Sequence, residues 1–172
     1  MFRRCRICKS FKLKKVFSLG KQPLANNLLK GNQEAKTYPL DLYQCQHCTL
    51  LQLGKVVPKE EMYEEYYYIP SVAKTGLKHF KDLAKKLTTN LLLKKGELVV
   101  DVGGNDGSLL NEFKKLGMKV LNIEPAKNIK VLDGIPTVRN YFIPDIVRLL
   151  PKAKLVTATN VFAHIDNKEA LM

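Results

Sequence analysis

Four cysteines fall into two units, Cys5-Arg6-Ile7-Cys8 and Cys45-Gln46-His47-Cys48, with 36 residues between them. Each C-x2-C unit can form a tight turn that points both sulfurs at one ion. Two such turns complete a tetrahedral shell of four thiolates, Cys5, Cys8, Cys45 and Cys48, around Zn²⁺. A shell of that kind leaves no position for water, so the site is expected to be structural, with metal binding coupled to folding. His47 could compete as a ligand, but inside C-x-H-C its backbone is already committed to the turn. The competing reading, that the cysteines are small buried hydrophobes, leaves the repeated pairing unexplained.

A second group of chemically capable residues surrounds Gly103-Gly104-Asn105-Asp106-Gly107-Ser108, which follows an apolar run and precedes a helical pattern. Taking Gly103 as the first glycine of G-x-G-x-x-G puts Asn105 and Ser108 where glycines are required, so the dinucleotide fingerprint fails and a pyrophosphate ligand is disfavoured. Two acids remain. Asp101 sits near the end of the strand before the loop, and Glu124 ends the next strand. An acid at the second position can accept both hydroxyls of a ribose, and Asp101 can face an ammonium group through the loop or a water. An adenosyl ribose, an amino group and no phosphate describe S-adenosylmethionine. Its expected contacts are Asp101, Gly103, Gly104, Asn105, Asp106, Gly107 and Glu124. The plainer alternative is that the glycines serve only a tight strand-to-helix turn.

The elements that must hold these groups can be read from periodicity. Residues 1–56 carry short strand-like runs, 14–19, 40–44 and 49–53, with too little apolar material for a core unless something staples them. Residues 57–94 comprise a connector rich in tyrosine and acid, 57–71, and a helix after it. Ser71 is placed to cap that helix; Ala73, Leu77, Phe80, Ala84 and Leu87 form its packing stripe, Lys74, Lys78, Lys81 and Lys85 its basic flank, and His79 is expected to be exposed. From residue 95 strands alternate with helices: strands over 98–102, 118–124, 136–140 and 154–161, helices over 108–116 and 142–150. Such alternation indicates an α/β fold with a parallel, doubly wound sheet. The uncharged run 155–161 would be an open edge prone to association.

Composition narrows the function classes. The chain has 172 residues, 45% hydrophobic, with 29 Lys and Arg against 16 Asp and Glu, a net charge of +13. That is a globular composition. No apolar run reaches the roughly 18 residues of a membrane span, and no apolar signal core follows Met1, so a cytoplasmic protein without a membrane partner is expected. In a reducing compartment the cysteines are not expected to pair as disulfides. The charge excess is concentrated in residues 1–56, which hold 11 basic and 2 acidic side chains. Such a segment could meet a nucleic acid, a diphosphate or only water. Because few aromatics are interleaved with the basic residues, nucleic acid is not the expected partner.

The runs Val100 to Leu110, Asn122-Ile123-Glu124-Pro125, Gly134-Ile135-Pro136-Thr137 and Asn160-Val161-Phe162-Ala163-His164-Ile165 resemble the S-adenosylmethionine-dependent sugar C-methyltransferases. So do the two C-x2-C units, Gln22-Pro23-Leu24-Ala25-Asn26, and Met62-Tyr63 leading to Tyr66-Tyr67-Tyr68. The resemblance implies a small zinc-binding N-terminal domain (1–56), a connector (57–94) and a partial, Rossmann-like methyltransferase sheet (95–172). It covers about the N-terminal half of the family's architecture. It further implies methylation at C3 of a nucleotide-linked 4-keto-deoxysugar: a base removes the C3 proton, and the enolate attacks the sulfonium methyl. By position Tyr68 and His164 look like the residues near the sugar, and Asn160 like a cofactor contact. Pro70 stands where the family often has serine, so Tyr66 and Tyr67 remain alternatives to Tyr68. A tyrosine-rich connector can also simply pack two domains together. The family's further catalytic cluster falls beyond residue 172, which makes the chain by itself an expected inactive portion requiring the C-terminal half. Two other functions fit some of these features: an RNA methyltransferase guided by the zinc domain, and a non-catalytic zinc module.

Overall fold

A computed structural model describes residues 4–25, 29 and 31–164. Asn26, Ile165 and the helical start expected at 166–172 lie outside the described residues. The chain divides into two compact units, Met1–Tyr63 and Glu64–Met172.

The first unit is a three-stranded antiparallel sheet in the order β1-β2-β3, with β1 Leu13–Pro23, β2 Thr37–Cys45 and β3 Leu51–Leu53, followed by a short helix α1, Lys59–Tyr63. β1 runs longer than the expected 14–19 because irregularities at Lys15/Phe17 and Ser18/Lys21 let it keep pairing with β2 as far as Pro23↔Thr37. β3 starts later than the expected residue 49. Thr49 takes a left-handed φ of 60° and donates its N–H to the Cys45 carbonyl at 3.0 Å, so it belongs to a turn.

The second unit carries four parallel strands in the order β6-β5-β4-β7: β4 Leu98–Val102, β5 Lys119–Ile123, β6 Thr137–Val138 and β7 Leu155–Thr157. With α2 (Lys74–Asn90), α3 (Ser108–Lys115) and α4 (Pro144–Val147) this makes a mixed α/β unit with a parallel sheet. Val99, Leu109, Leu110, Phe113, Met118, Val120 and Ala84 form its core, and Phe80, Leu83 and Leu87 of α2 pack against them. Phe80, Ala84 and Leu87 are as expected of the α2 stripe; Leu83 joins them, whereas Leu77 is half-buried and outside the cluster. Ala73 is exposed and stands just outside the helix.

Several boundaries differ from the sequence reading. Ser71 does not cap α2. It lies in a 3-10 turn, Pro70–Val72, and Ala73 occupies the cap position without a side-chain bond. The expected helix 142–150 shrinks to α4, because Pro144 sets its start and the later bonds, Leu149 N–H to Ile146 O and Leu150 N–H to Val147 O, are three-residue turns. The expected strand 154–161 ends at Thr157, ahead of the turn in which Asn160 takes a φ of 57°. His79 is exposed, as expected. Among the described residues no helix is long and apolar enough to cross a membrane.

Candidate functional site

In the first unit the two C-x2-C segments build the same turn twice. Cys5 N–H donates to Ser10 O at 2.8 Å and Lys9 N–H to Cys5 O at 3.1 Å; Cys45 N–H donates to Leu50 O at 2.9 Å and Thr49 N–H to Cys45 O at 3.0 Å. Lys9 and Thr49 both take a φ of 60°. The chain therefore folds back identically at each pair and presents both sulfurs on the inner side. The four sulfurs lie within 4.8 Å of one another, with Cys5 Sγ to Cys48 Sγ and Cys8 Sγ to Cys45 Sγ each 3.6 Å. Four sulfurs bound tetrahedrally at about 2.3 Å from Zn²⁺ would be about 3.8 Å apart, so the cluster fits the ion with little movement. All four cysteines are free thiols.

The N–H groups of Cys48 and His47 pull the Cys45 thiol down to about 6, against its burial. Cys8 is pushed up to about 12: the Ser10 N–H lowers it, but burial and the neighbouring sulfurs outweigh that bond. Four thiolates cannot share so small a volume without a cation, and a Zn²⁺ held by Cys5, Cys8, Cys45 and Cys48 would supply the missing charge. His47 is exposed, outside the sulfur cluster, with its N–H directed at Cys45 Sγ. Sequence reasoning missed Gln52. This buried side chain accepts the Arg6 N–H at 2.9 Å and donates to Arg4 O at 3.2 Å, tying the first turn to β3. Its signal was a lone amide between Leu51 and Leu53.

In the second unit the glycine loop lies between β4 and α3, as expected. Gly103 (φ 64°) and Gly107 (φ 82°) need their left-handed backbone, and each also faces a side chain of the protein itself. A Cβ on Gly103 would stand 2.6 Å from Val161, and one on Gly104 would stand 2.5 Å from Asn122 Oδ1. Internal packing therefore accounts for these glycines, and they do not by themselves point to a ligand. The acids and their neighbours do. Asp101 and Glu124 stand at the carboxyl ends of the adjacent parallel strands β4 and β5, 1% and 6% exposed. Glu124 accepts the N–H groups of Asn105 at 2.9 Å and Ala126 at 2.8 Å, one on each oxygen, which leaves each oxygen further acceptor capacity for hydroxyl donors. Burial raises its pKa; those N–H groups and Arg139 oppose the rise. Burial also pushes Asp101 up to about 6, opposed by the Thr157 hydroxyl at 2.7 Å and reinforced by the charge of Glu124.

Asp106 is committed elsewhere: Oδ1 accepts the Ser108 N–H at the start of α3, and Oδ2 accepts the Ser71 N–H. Asn105 (φ 54°) donates Nδ2 to the Tyr68 carbonyl at 2.8 Å and accepts Asn122 Nδ2 on its own carbonyl at 3.0 Å. The residues around Tyr68 are thus strapped to the loop, reinforced by Tyr66 and Asn128, which exchange two bonds. Tyr68 itself is 59% exposed. Asn160 and His164 follow β7, both exposed, and His164 lies in a 3-10 turn. Asn105 Oδ1, Ser108 Oγ and Asn122 Oδ1 are buried with no hydrogen-bond partner. These three orphaned oxygens beside the loop and the two buried carboxylates suit a ligand that brings hydroxyl and ammonium donors, as S-adenosylmethionine would. The roles of Asn122, Thr157 and Arg139 were missed; the signal for Asn122 was one amide inside the apolar run Val120 to Ile123.

Residues 5–63 match the family described as "Putative zinc binding domain". The chain is 30% identical, over 173 aligned positions and 95% of its length, to the C-methyltransferase NovU of Streptomyces niveus. It spans 41% of that relative's length. These likenesses support a C-methyltransferase N-terminal region, and the zinc-domain match and the four-cysteine cluster together support Zn²⁺.

Proposed function

We propose that the chain is the zinc-binding and cofactor-binding part of an S-adenosylmethionine-dependent sugar C-methyltransferase. Its second unit is read as an incomplete doubly wound, Rossmann-like sheet. The observation that carries this reading is the pair of buried carboxylates, Asp101 and Glu124, on neighbouring parallel strands around the Gly103–Gly107 loop. The crevice outside the carboxyl ends of parallel strands is where open α/β sheets take their ligands. When bound, the cofactor would supply an electrophilic methyl group. Glu124 would hold the ribose hydroxyls, Asp101 would face the amino group, and the loop backbone would approach the ligand. Asn105 and Asp106 act by position, since their bonds to Tyr68 and Ser71 keep the connector against the loop.

The proposed acceptor is C3 of a nucleotide-linked 4-keto-deoxysugar, whose C3 proton is made acidic by the adjacent ketone. Tyr68 and His164 are the residues of this chain proposed to face the sugar. The general base is assigned to the part of the protein beyond residue 172, and so is the rest of the substrate cleft. A calorimetric titration with S-adenosylmethionine tests the cofactor half. Glu124→Ala should lose two charge-assisted hydrogen bonds, about 1.5–3 kcal/mol each, and weaken binding at least tenfold. Equal binding by wild type and variant would overturn the assignment.

A further inference from the structure

One polar row crosses all four strands of the parallel sheet. Thr137 pairs with Asn122, Asn122 with Asp101, and Asp101 with Thr157. At its centre Asn122 is 0% and Asp101 1% exposed. The orientation of the Asn122 amide is set by its bond to the Asn105 carbonyl. Only Nδ2 can donate there, at 3.0 Å, so Oδ1 must point the other way, and it has no partner. On that side lies Asp101. The point beside the Gly104 Cα where a Cβ would stand is 2.5 Å from Asn122 Oδ1 and 2.8 Å from Asp101 Oδ2, so both oxygens crowd the same small space. An ionised Asp101 would set acceptor against acceptor in a dry interior, whereas a protonated one supplies the donor that Asn122 lacks.

We propose that in the ligand-free protein Asp101 carries a proton, donated from Oδ2 to Asn122 Oδ1, and that the ammonium group of the cofactor displaces it. The Asp101 O–H bond breaks, the proton passes to solvent, and the carboxylate pairs with the ligand cation. Ligand uptake and proton release are then one event. The second half rests on the cofactor reading above; the first does not.

The other groups around Asp101 favour its neutral form or are indifferent to it. Asn122 on β5 and Thr157 on β7 are uncharged. Asp106 in the loop is bound to the Ser108 and Ser71 N–H groups. Glu124, just past β5, adds a nearby negative charge, and Arg139 past β6 acts on Glu124. Among the described residues no cation forms an ion pair with Asp101.

Carboxyl-detected NMR of the zinc-loaded chain tests the first half, with the Asp101 resonance assigned by its loss in Asp101→Asn. Asp101 should still be protonated at pH 5, and the side-chain amide signals of Asn122 should titrate with the same midpoint. An Asp101 midpoint in the ordinary carboxylate range, or Asn122 signals that stay flat through the Asp101 titration, would overturn it. For the second half, S-adenosylmethionine binding is measured calorimetrically near pH 5 in two buffers of different ionisation enthalpy. Close to one proton should be released per ligand bound. Binding without release would overturn the coupling and leave the cofactor reading intact. No binding at all would overturn both that reading and the coupling, with the NMR titration still deciding the state of Asp101.

Discussion

Every residue of β1 after Leu13 is exposed, and every residue of β4 after Leu98 is buried. The two strands belong to units held together by different means. Among the described residues, the buried hydrophobics of the first unit are Cys5, Tyr38, Cys45 and Val57, two of them metal-ligand candidates. The second unit buries Val99, Leu109, Leu110, Phe113, Met118 and Val120 in one cluster with Ala84. A sheet with so little buried apolar surface cannot offset the entropy of ordering its chain. It needs cross-linking, which two matched thiolate turns around one ion would supply. The second unit draws on packing, and can hold two buried acids that form no ion pair among the described residues because its core already carries the fold.

Removing the metal should separate the two units most sharply. The purified chain should hold one zinc equivalent, and chelation or Cys5→Ser with Cys45→Ser should abolish amide protection through β1–β3 while leaving β4, β5 and α3 protected. Structural zinc contributes on the order of 10 kcal/mol or more to such domains. Stoichiometric zinc in the double variant would refute the four-thiolate centre.

The reciprocal experiment is Phe113→Ala, which empties a fully buried site in the second core. A loss of about 3–5 kcal/mol is expected in denaturant melts of the second unit, with zinc content unchanged. Unfolding that also releases the metal would show that the units are energetically coupled after all.

A smaller effect distinguishes the buried acids by pH. Asp101 has a folded-state pKa of about 6, above the roughly 3.9 of an unfolded aspartate. The folded state therefore binds the proton more tightly, and this stabilising contribution is complete at low pH and lost as pH rises through about 6. Asp101→Asn replaces the neutral acid with a neutral amide able to donate to Asn122. It should leave stability near wild type at pH 4 and raise it at pH 8 by up to about 2–3 kcal/mol, read from urea melts. A variant equally destabilised at both pH values would contradict that sign. The smallest expected change is at the exposed pair Lys127–Glu64, 3.0 Å apart, where Lys127→Ala should cost under about 1 kcal/mol in the same melts.

Much of the architecture was legible because it rests on local rules. The paired C-x2-C spacing led to a real four-sulfur cluster, and the apolar runs at 98–102 and 118–124 led to two central parallel strands. The edges were read less well. The expected strand 154–161 and helix 142–150 are both much shorter in the structure, since a left-handed turn at Asn160 and a proline start at Pro144 end patterns that composition alone would have continued. Around the loop the same limit applies. Asp101, Asn105, Asp106 and Glu124 were singled out for a ligand, yet Asp106 spends both oxygens on backbone N–H groups of Ser108 and Ser71, a bond across 35 positions in the chain.

What the sequence determined by itself was the chemistry available: four thiols in two matched turns, two acids at strand ends, and a loop that needs glycine. Spacing within a few residues is enough for that, because turn geometry and strand periodicity are local. The tertiary structure alone decided the state of those groups. Strand register put Asn122 beside Asp101 and Thr157 on its other side, and the bond from Asn122 to Asn105 turned an amide oxygen toward a carboxyl group. Burial and hydrogen-bond direction are properties of what lies across the sheet, and residues that meet there are separated by 21 and 56 positions along the chain.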